Sequence, residues 1–147
     1  MTAALDELVV WLREQIAEDR RIAEESCDGP WHVNDAGYAE AIYGADGTCV
    51  IGGGRWGGEA PVFDSTEDAL HIVRHDPRVV LAQCAAHEAL LDEHWDVNEG
   101  DCATCVTGKW GYPTHGGSSP QRYPCKTIRI VALAYQHRPG YREEWRP

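Results

Sequence analysis

The chain is 147 residues long, enough for one domain with a modest core, and its 43% hydrophobic and 25% charged residues are a globular composition. Its net charge of −11 argues against a general affinity for nucleic acid or an anionic membrane surface. No run approaches the ~18 apolar residues of a membrane span, and Asp6, Glu7, Glu14, Glu18 and Asp19 interrupt any secretory signal, so a cytoplasmic protein with reduced thiols is expected.

The first predicted element is an amphipathic helix over 3–25, with Leu5, Leu8, Leu12 and Ile16 on one face and Val9 beside them. Thr2 can cap its start, and Cys27-Asp28-Gly29-Pro30 ends it. Residues 31–63 read as a small antiparallel meander. Its runs Tyr38 to Tyr43 and Thr48 to Ile51 are set off by the turns Asp35-Ala36-Gly37 and Ala45-Asp46-Gly47. The Gly-rich run Gly52 to Gly58 lacks the order of a phosphate-binding loop and reads as a hairpin tip.

A broken helix follows over 65–94. Asp64 or Ser65 caps its first part, and His75-Asp76-Pro77 breaks it, with Asp76 as N-cap and Pro77 as the first residue of a longer helix to His94. Val80, Cys84, His87, Leu91 and His94 share one face of that second helix. Residues 95–135 form a zinc-binding segment with a short helix from Lys126 to Tyr135, and 136–147 an aromatic, basic tail. The expected fold is one α+β domain: two packed helices, a small antiparallel meander and a C-terminal zinc-stapled loop and helix.

The chemistry concentrates in His94, Cys102, Cys105 and Cys125. The CxxC of Cys102-Ala103-Thr104-Cys105 lets two thiolates from one turn face one ion, and a distant third Cys with a His completes a tetrahedron. His115 competes with His94 for the fourth position. Residues 106–124 hold seven Gly or Pro, and tying their two ends through a metal would close this long loop. Four protein ligands leave no open position, so the expected cofactor is structural Zn2+. A redox CxxC lacks a thioredoxin-like context here, and a disulfide framework is the weaker reading of six Cys in a reducing compartment.

Two other constellations compete. His71 and His75 stand at helical i, i+4 spacing beside Asp76, with Asp68 nearby, and could serve a metal-dependent hydrolase or nuclease. Asp76 is, however, already explained as a cap. Lys109, Trp110, Tyr112, Arg122, Lys126 and Arg129 interleave bases with aromatics as single-strand binders do. Residues 1–105 carry 6 Lys/Arg against 22 Asp/Glu, a net of −16, and this would repel a nucleic-acid backbone; residues 106–147 carry 7 against 2, a net of +5.

The tail Tyr141-Arg142-Glu143-Glu144-Trp145, together with Gly29-Pro30-Trp31, His71-Ile72, Arg74-His75-Asp76-Pro77, His94, the CxxC and Pro124-Cys125, resembles a family of uncharacterised small proteins of actinobacteria and their phages. The resemblance covers nearly the whole chain. The order of helix, Gly-Pro-Trp, hairpin and helix is similar, more loosely, to phage accessory proteins of the Ead type. Neither likeness implies a reaction; together they imply a phage or prophage accessory origin. The sequence thus reads as a small cytoplasmic, zinc-stabilised, non-catalytic interaction protein. Tyr141, Arg142 and Trp145 are its candidate partner-binding residues, because such types dominate interface energetics. Its partner is an unidentified protein, with membrane and nucleic acid disfavoured.

Overall fold

The structure, a computed structural model, describes residues 3–33, 41–51, 65–107 and 119–147. Thr2, the turn at Asp35–Gly37, Tyr38, the Gly52–Gly58 run, and Lys109, Trp110, Tyr112 and His115 lie outside the described residues. The chain divides into two compact units, Met1–Ala17 with Ala85–Pro147 and Glu18–Cys84, whose boundaries fall inside its two long helices. Among the described residues, four α-helices and two small three-stranded antiparallel sheets make an α+β fold.

In the Glu18–Cys84 unit, helix α1 (Ala3–Glu25) ends before strands β1 (His32–Val33), β2 (Ile42–Tyr43) and β3 (Cys49–Ile51). These form the expected meander in the order β1-β2-β3, with Val33 opposite Ile42 and Tyr43 opposite Cys49. Strands of two or three residues are not stable alone, so the buried Ala41 and Ile42 anchor the sheet. The β2–β3 turn follows its Asp-Gly signal. Thr48 N–H donates to Asp46 Oδ1 at 2.9 Å, and Gly47 takes φ +81, a left-handed value that glycine adopts without strain.

Helix α2 (Thr66–Val73) starts at Ser65, whose Oγ accepts from Asp68 N–H at 3.2 Å, as the capping signal predicts. Helix α3 (Pro77–Glu93) starts at Asp76, whose Oδ1 accepts from the Arg78 and Val79 amides at 2.8 and 3.4 Å. Its Oδ2 reaches Trp31 N–H at 3.3 Å and Arg78 Nη2 at 3.1 Å, so one carboxylate caps α3 and fixes the chain entering β1. Asp76 is only 2% exposed. Burial alone would raise its pKa; the bonds from Arg78 and from the Trp31, Arg78 and Val79 amides outweigh that and hold it below the usual carboxylate value of 3.8.

Replacing Asp76 by Ala is therefore expected to cost about 1–3 kcal/mol in urea unfolding. Because the folded value is the lower one, the carboxylate's contribution is complete above the unfolded value and disappears as pH falls through the folded one. The stability gap between the native chain and Asp76→Asn should thus be widest near neutrality and close below about pH 3.8. A gap independent of pH would remove the charge from this account.

In the other unit, the first part of α1 buries Leu8, Leu12 and Ile16, all at 0% exposure, and α3 buries Leu91. Arg13 and Asp92 join these helices in an exposed ion pair at 3.0 Å. A second sheet, which the sequence pattern did not indicate, follows α3: β4 (Asp96–Val97), β5 (Asp101–Val106) and β6 (Pro120–Arg122), antiparallel in that order. Asn98 and Glu99 take left-handed φ of 52 and 59 in the β4–β5 turn, and Gly100 N–H donates to Asp96 Oδ1 at 2.7 Å. The expected long loop is therefore a β5–β6 hairpin at its ends.

Helix α4 (Lys126–Leu133) contributes the buried Ile128, Val131 and Ala132. Tyr135 beyond it meets the half-buried His87 at 2.7 Å from OH to Nδ1, so His87 is a satisfied packing histidine. The tail closes on α1. Trp145 is 4% exposed, with its ring 5.4 Å from that of Trp11, and Trp11 Nε1–H donates to Pro139 O at 3.1 Å. Gly140, at φ +91, passes so close that a Cβ there would lie 2.7 Å from Trp11 Nε1. No helix among the described residues is long and apolar enough to cross a membrane.

Candidate metal centre

Three neighbouring elements converge on one point. His94 follows the last residue of α3, with its N–H on Leu90 O. The β4–β5 turn brings the CxxC back alongside it, and Thr104 Oγ1 donates to Glu93 O at 2.6 Å, tying that motif to the end of α3. Cys125 is the N-cap residue of α4, and the buried Tyr123 and Pro124 lead into it. All four predicted ligands therefore come from rigid, packed positions.

His94 Nδ1 lies 3.6 Å from Cys102 Sγ, 3.3 Å from Cys105 Sγ and 3.5 Å from Cys125 Sγ. A tetrahedral ion bonded at ~2.3 Å to sulfur and ~2.05 Å to nitrogen needs an S···N separation of about 3.6 Å. The four ligand atoms all lie within 4.8 Å of one another, so the cluster could hold a metal ion. His94, Cys102 and Cys125 are buried and Cys105 is half-buried; a ligand set this enclosed shields an ion from solvent.

Supporting contacts favour thiolates. The amides of Thr104 and Cys105 donate to Cys102 Sγ at 3.5 and 3.4 Å, and Thr127 Oγ1 sits 3.6 Å from Cys105 Sγ. Thr104 and Thr127 have no sequence signature of their own, and only the fold reveals their roles. Burial pushes the Cys125 thiol up to about 11, with the Ile128 amide acting in the opposite sense and the neighbouring Cys102 and Cys105 adding to the rise. A cation must displace that proton, so binding couples to deprotonation. Cys27, Cys84, Cys102, Cys105 and Cys125 are all free thiols.

The competing constellations fare differently. His71 and His75 are both exposed, with ring centroids 4.5 Å apart, and His75 Nδ1–H donates to His71 O at 2.8 Å. Asp76 beside them spends both oxygens on the α3 cap and on Trp31. Among the described residues, the His94 cluster is the one group of three or more His, Cys or carboxylates close enough to share an ion. Arg129, read as a candidate nucleic-acid contact, instead donates to Pro124 O and Glu144 O at 3.2 Å each, tying α4 to the tail.

Of the candidate partner-binding residues, Trp145 is buried and Tyr141 half-buried, with its ring 5.8 Å from those of Trp11 and Trp145. The Tyr141 hydroxyl is buried and makes no hydrogen bond among the described residues. Arg142 is half-exposed and pairs with Glu7 at 2.6 Å, its guanidinium 5.2 Å from the Trp145 ring centre. The sequence could not separate these roles, because the Trp11 that receives the tail lies far away in the chain. Neither a curated protein nor a solved structure matches this chain. The chain belongs to the family of unknown function DUF6221, whose model matches residues 5–147, a span that covers His94, Cys102, Cys105 and Cys125.

Proposed function

We propose that this is a small zinc-stabilised protein that works by binding another protein and carries out no reaction of its own. The observation that carries the reading is the four-ligand cluster, in which three sulfurs surround His94 Nδ1 at 3.3–3.6 Å. Soft thiolates with an imidazole favour Zn2+ over oxygen-seeking Mg2+ or Ca2+. Four protein ligands occupy the tetrahedron, leaving no position at which water or substrate would be activated. The hydrolase alternative needs Asp76 as a ligand or base, and the capping bonds of that carboxylate argue against it.

The partner face of this reading is the groove where the tail meets α1, a cavity of ≈ 510 Å³ lined by Glu7, Val10, Trp11, Glu14, Gly140, Arg142 and Trp145. Val10 is 56% exposed there, an apolar side chain between an aromatic floor and charged edges, as in the core and rim of interfaces. A phage or prophage accessory role, with a host protein as target, rests on the family resemblance alone. The reading also puts the protein in the cytoplasm, where its thiols stay reduced.

Native protein is expected to contain about one zinc per chain by elemental analysis. Affinity capture from the organism's own extract should yield a partner whose binding weakens as salt rises. Val10→Asp combined with Arg142→Ala should lose that partner while zinc content and melting temperature stay near native. A metal-dependent turnover abolished by His71→Ala or His75→Ala, in protein that still folds, would overturn the non-catalytic reading.

A further inference from the structure

We infer that the groove between α1 and the tail takes a basic partner segment, one that sets an aliphatic side chain on Val10 and Trp11 and an arginine or lysine against Glu14. This rests on the protein-binding reading and gives that partner its chemistry. Glu7, Val10, Trp11 and Glu14 line one side of the groove at the i, i+3, i+4, i+7 spacing of a single helix face, and Gly140, Arg142 and Trp145 line the other. Both sides belong to the same compact unit.

The sign of the partner follows from which charges of the wall are already answered. Arg142 is its cation, and Glu7 at 2.6 Å and Glu144 at 3.6 Å hold that guanidinium between them. Arg13, next to Glu14 in the chain, is taken by Asp92 at 3.0 Å. Glu14 is left over, an exposed carboxylate whose side chain has neither an ion pair nor a hydrogen bond among the described residues. An acidic segment would meet Glu14 with no free cation beside it to compensate. A neutral segment would cover the carboxylate and leave it unpaired, a cost that a basic side chain removes.

The apolar part of the groove sets the rest of the segment. Val10 is exposed beside the half-buried Trp11, whose ring is fixed by its bond to Pro139 O and by the rings of Tyr141 and Trp145. A platform held in this way loses little freedom when a partner settles on it. From Val10 to Glu14 the helix rises ~6 Å, close to the ~6.6 Å that separates alternate residues of an extended chain. A basic residue about two positions from the aliphatic one therefore reaches Glu14 from the same face of an extended segment. The contacts on Val10 and Trp11 supply affinity, and the charge at Glu14 selects the partner.

Selection of random displayed peptides on the zinc-loaded chain tests this. The native chain should enrich peptides that carry an arginine or lysine about two positions from an aliphatic residue. In a synthetic peptide of the enriched sequence, citrulline for arginine or norleucine for lysine should weaken binding about fivefold or more, and added salt should narrow that difference. Glu14→Gln should weaken the parent peptide by a similar factor and no longer distinguish it from the neutral one, and Glu14→Lys should enrich acidic peptides instead. Val10→Ser, which leaves every charge in place, should weaken both peptides equally. These variants should all keep native zinc content and melting temperature. Peptides lost in Val10→Ser but enriched without a basic residue, or bound equally by the native chain and by Glu14→Gln, would overturn the inference and leave the groove as the partner face. No enrichment by the native chain, or peptides indifferent to Val10→Ser, would remove the groove as partner face and the inference with it.

Discussion

Cys125→Ser is expected to lose the bound metal and most of the folding free energy of the unit that holds it. Without a cation, nothing ties together the imidazole nitrogen and the three sulfurs that lie 3.3–3.6 Å from it. The apparent binding energy of structural zinc, ~10–16 kcal/mol in small domains, is largely folding energy, because the unfolded chain has no preformed site. A loss on the order of 5 kcal/mol would consume the stability of an ordinary domain of about 5–15 kcal/mol. The melting transition should therefore fall by more than about 10 °C or vanish. A strong chelator should do the same to the native chain, more readily at low pH where protons compete for the ligands. Cys105→Ser should do less damage, since Cys105 is only half-buried and water can take its corner. Cys84→Ser, at a buried thiol that is not one of the four clustered ligands, should keep its zinc. Full metal and a native melting curve in Cys125→Ser would remove that residue from the site.

What the sequence made legible was local. The span of α1, the Ser65 and Asp76 caps and the break at Pro77 each follow from a few adjacent residues whose chemistry fixes the backbone. The ligand set was readable because CxxC and Pro-Cys carry their geometry with them. The β4-β5-β6 sheet was not. Its outer strands have two and three residues, and the sequence around it alternates no apolar with polar groups; its register is set by the turn at Asn98–Gly100 and by neighbours on α3 and α4. The tail shows the same limit differently. A Trp and an Arg near a terminus suit an interface or a core equally, and the contact that decides between them joins residues 128 or more apart.

Trp145→Ala should destabilise the protein by about 3–5 kcal/mol in urea unfolding while leaving zinc content at the native ratio. The residue is 4% exposed and meets the rings of Trp11 at 5.4 Å and Tyr141 at 5.8 Å, so truncation removes a large buried side chain and two aromatic contacts worth about 0.5–1.5 kcal/mol each. Trp11→Ala should cost a comparable amount, and the double variant less than the sum, because both lose the same contact. Arg142→Ala gives the contrast. Its pair with Glu7 is half-exposed on both sides, and removing it should cost under about 1 kcal/mol, screened further by salt. Tyr141→Phe should be neutral or slightly stabilising, since the hydroxyl it deletes is buried without a hydrogen bond to any described residue. This ordering separates packing from exposure in the tail: Trp145 and Trp11 hold it against α1, and Val10 and Arg142 form the exposed rim to which the proposed function assigns a partner. A Trp145→Ala protein within about 1 kcal/mol of native stability would show that the tail is not part of the core, and would return Trp145 to the candidate partner-binding residues.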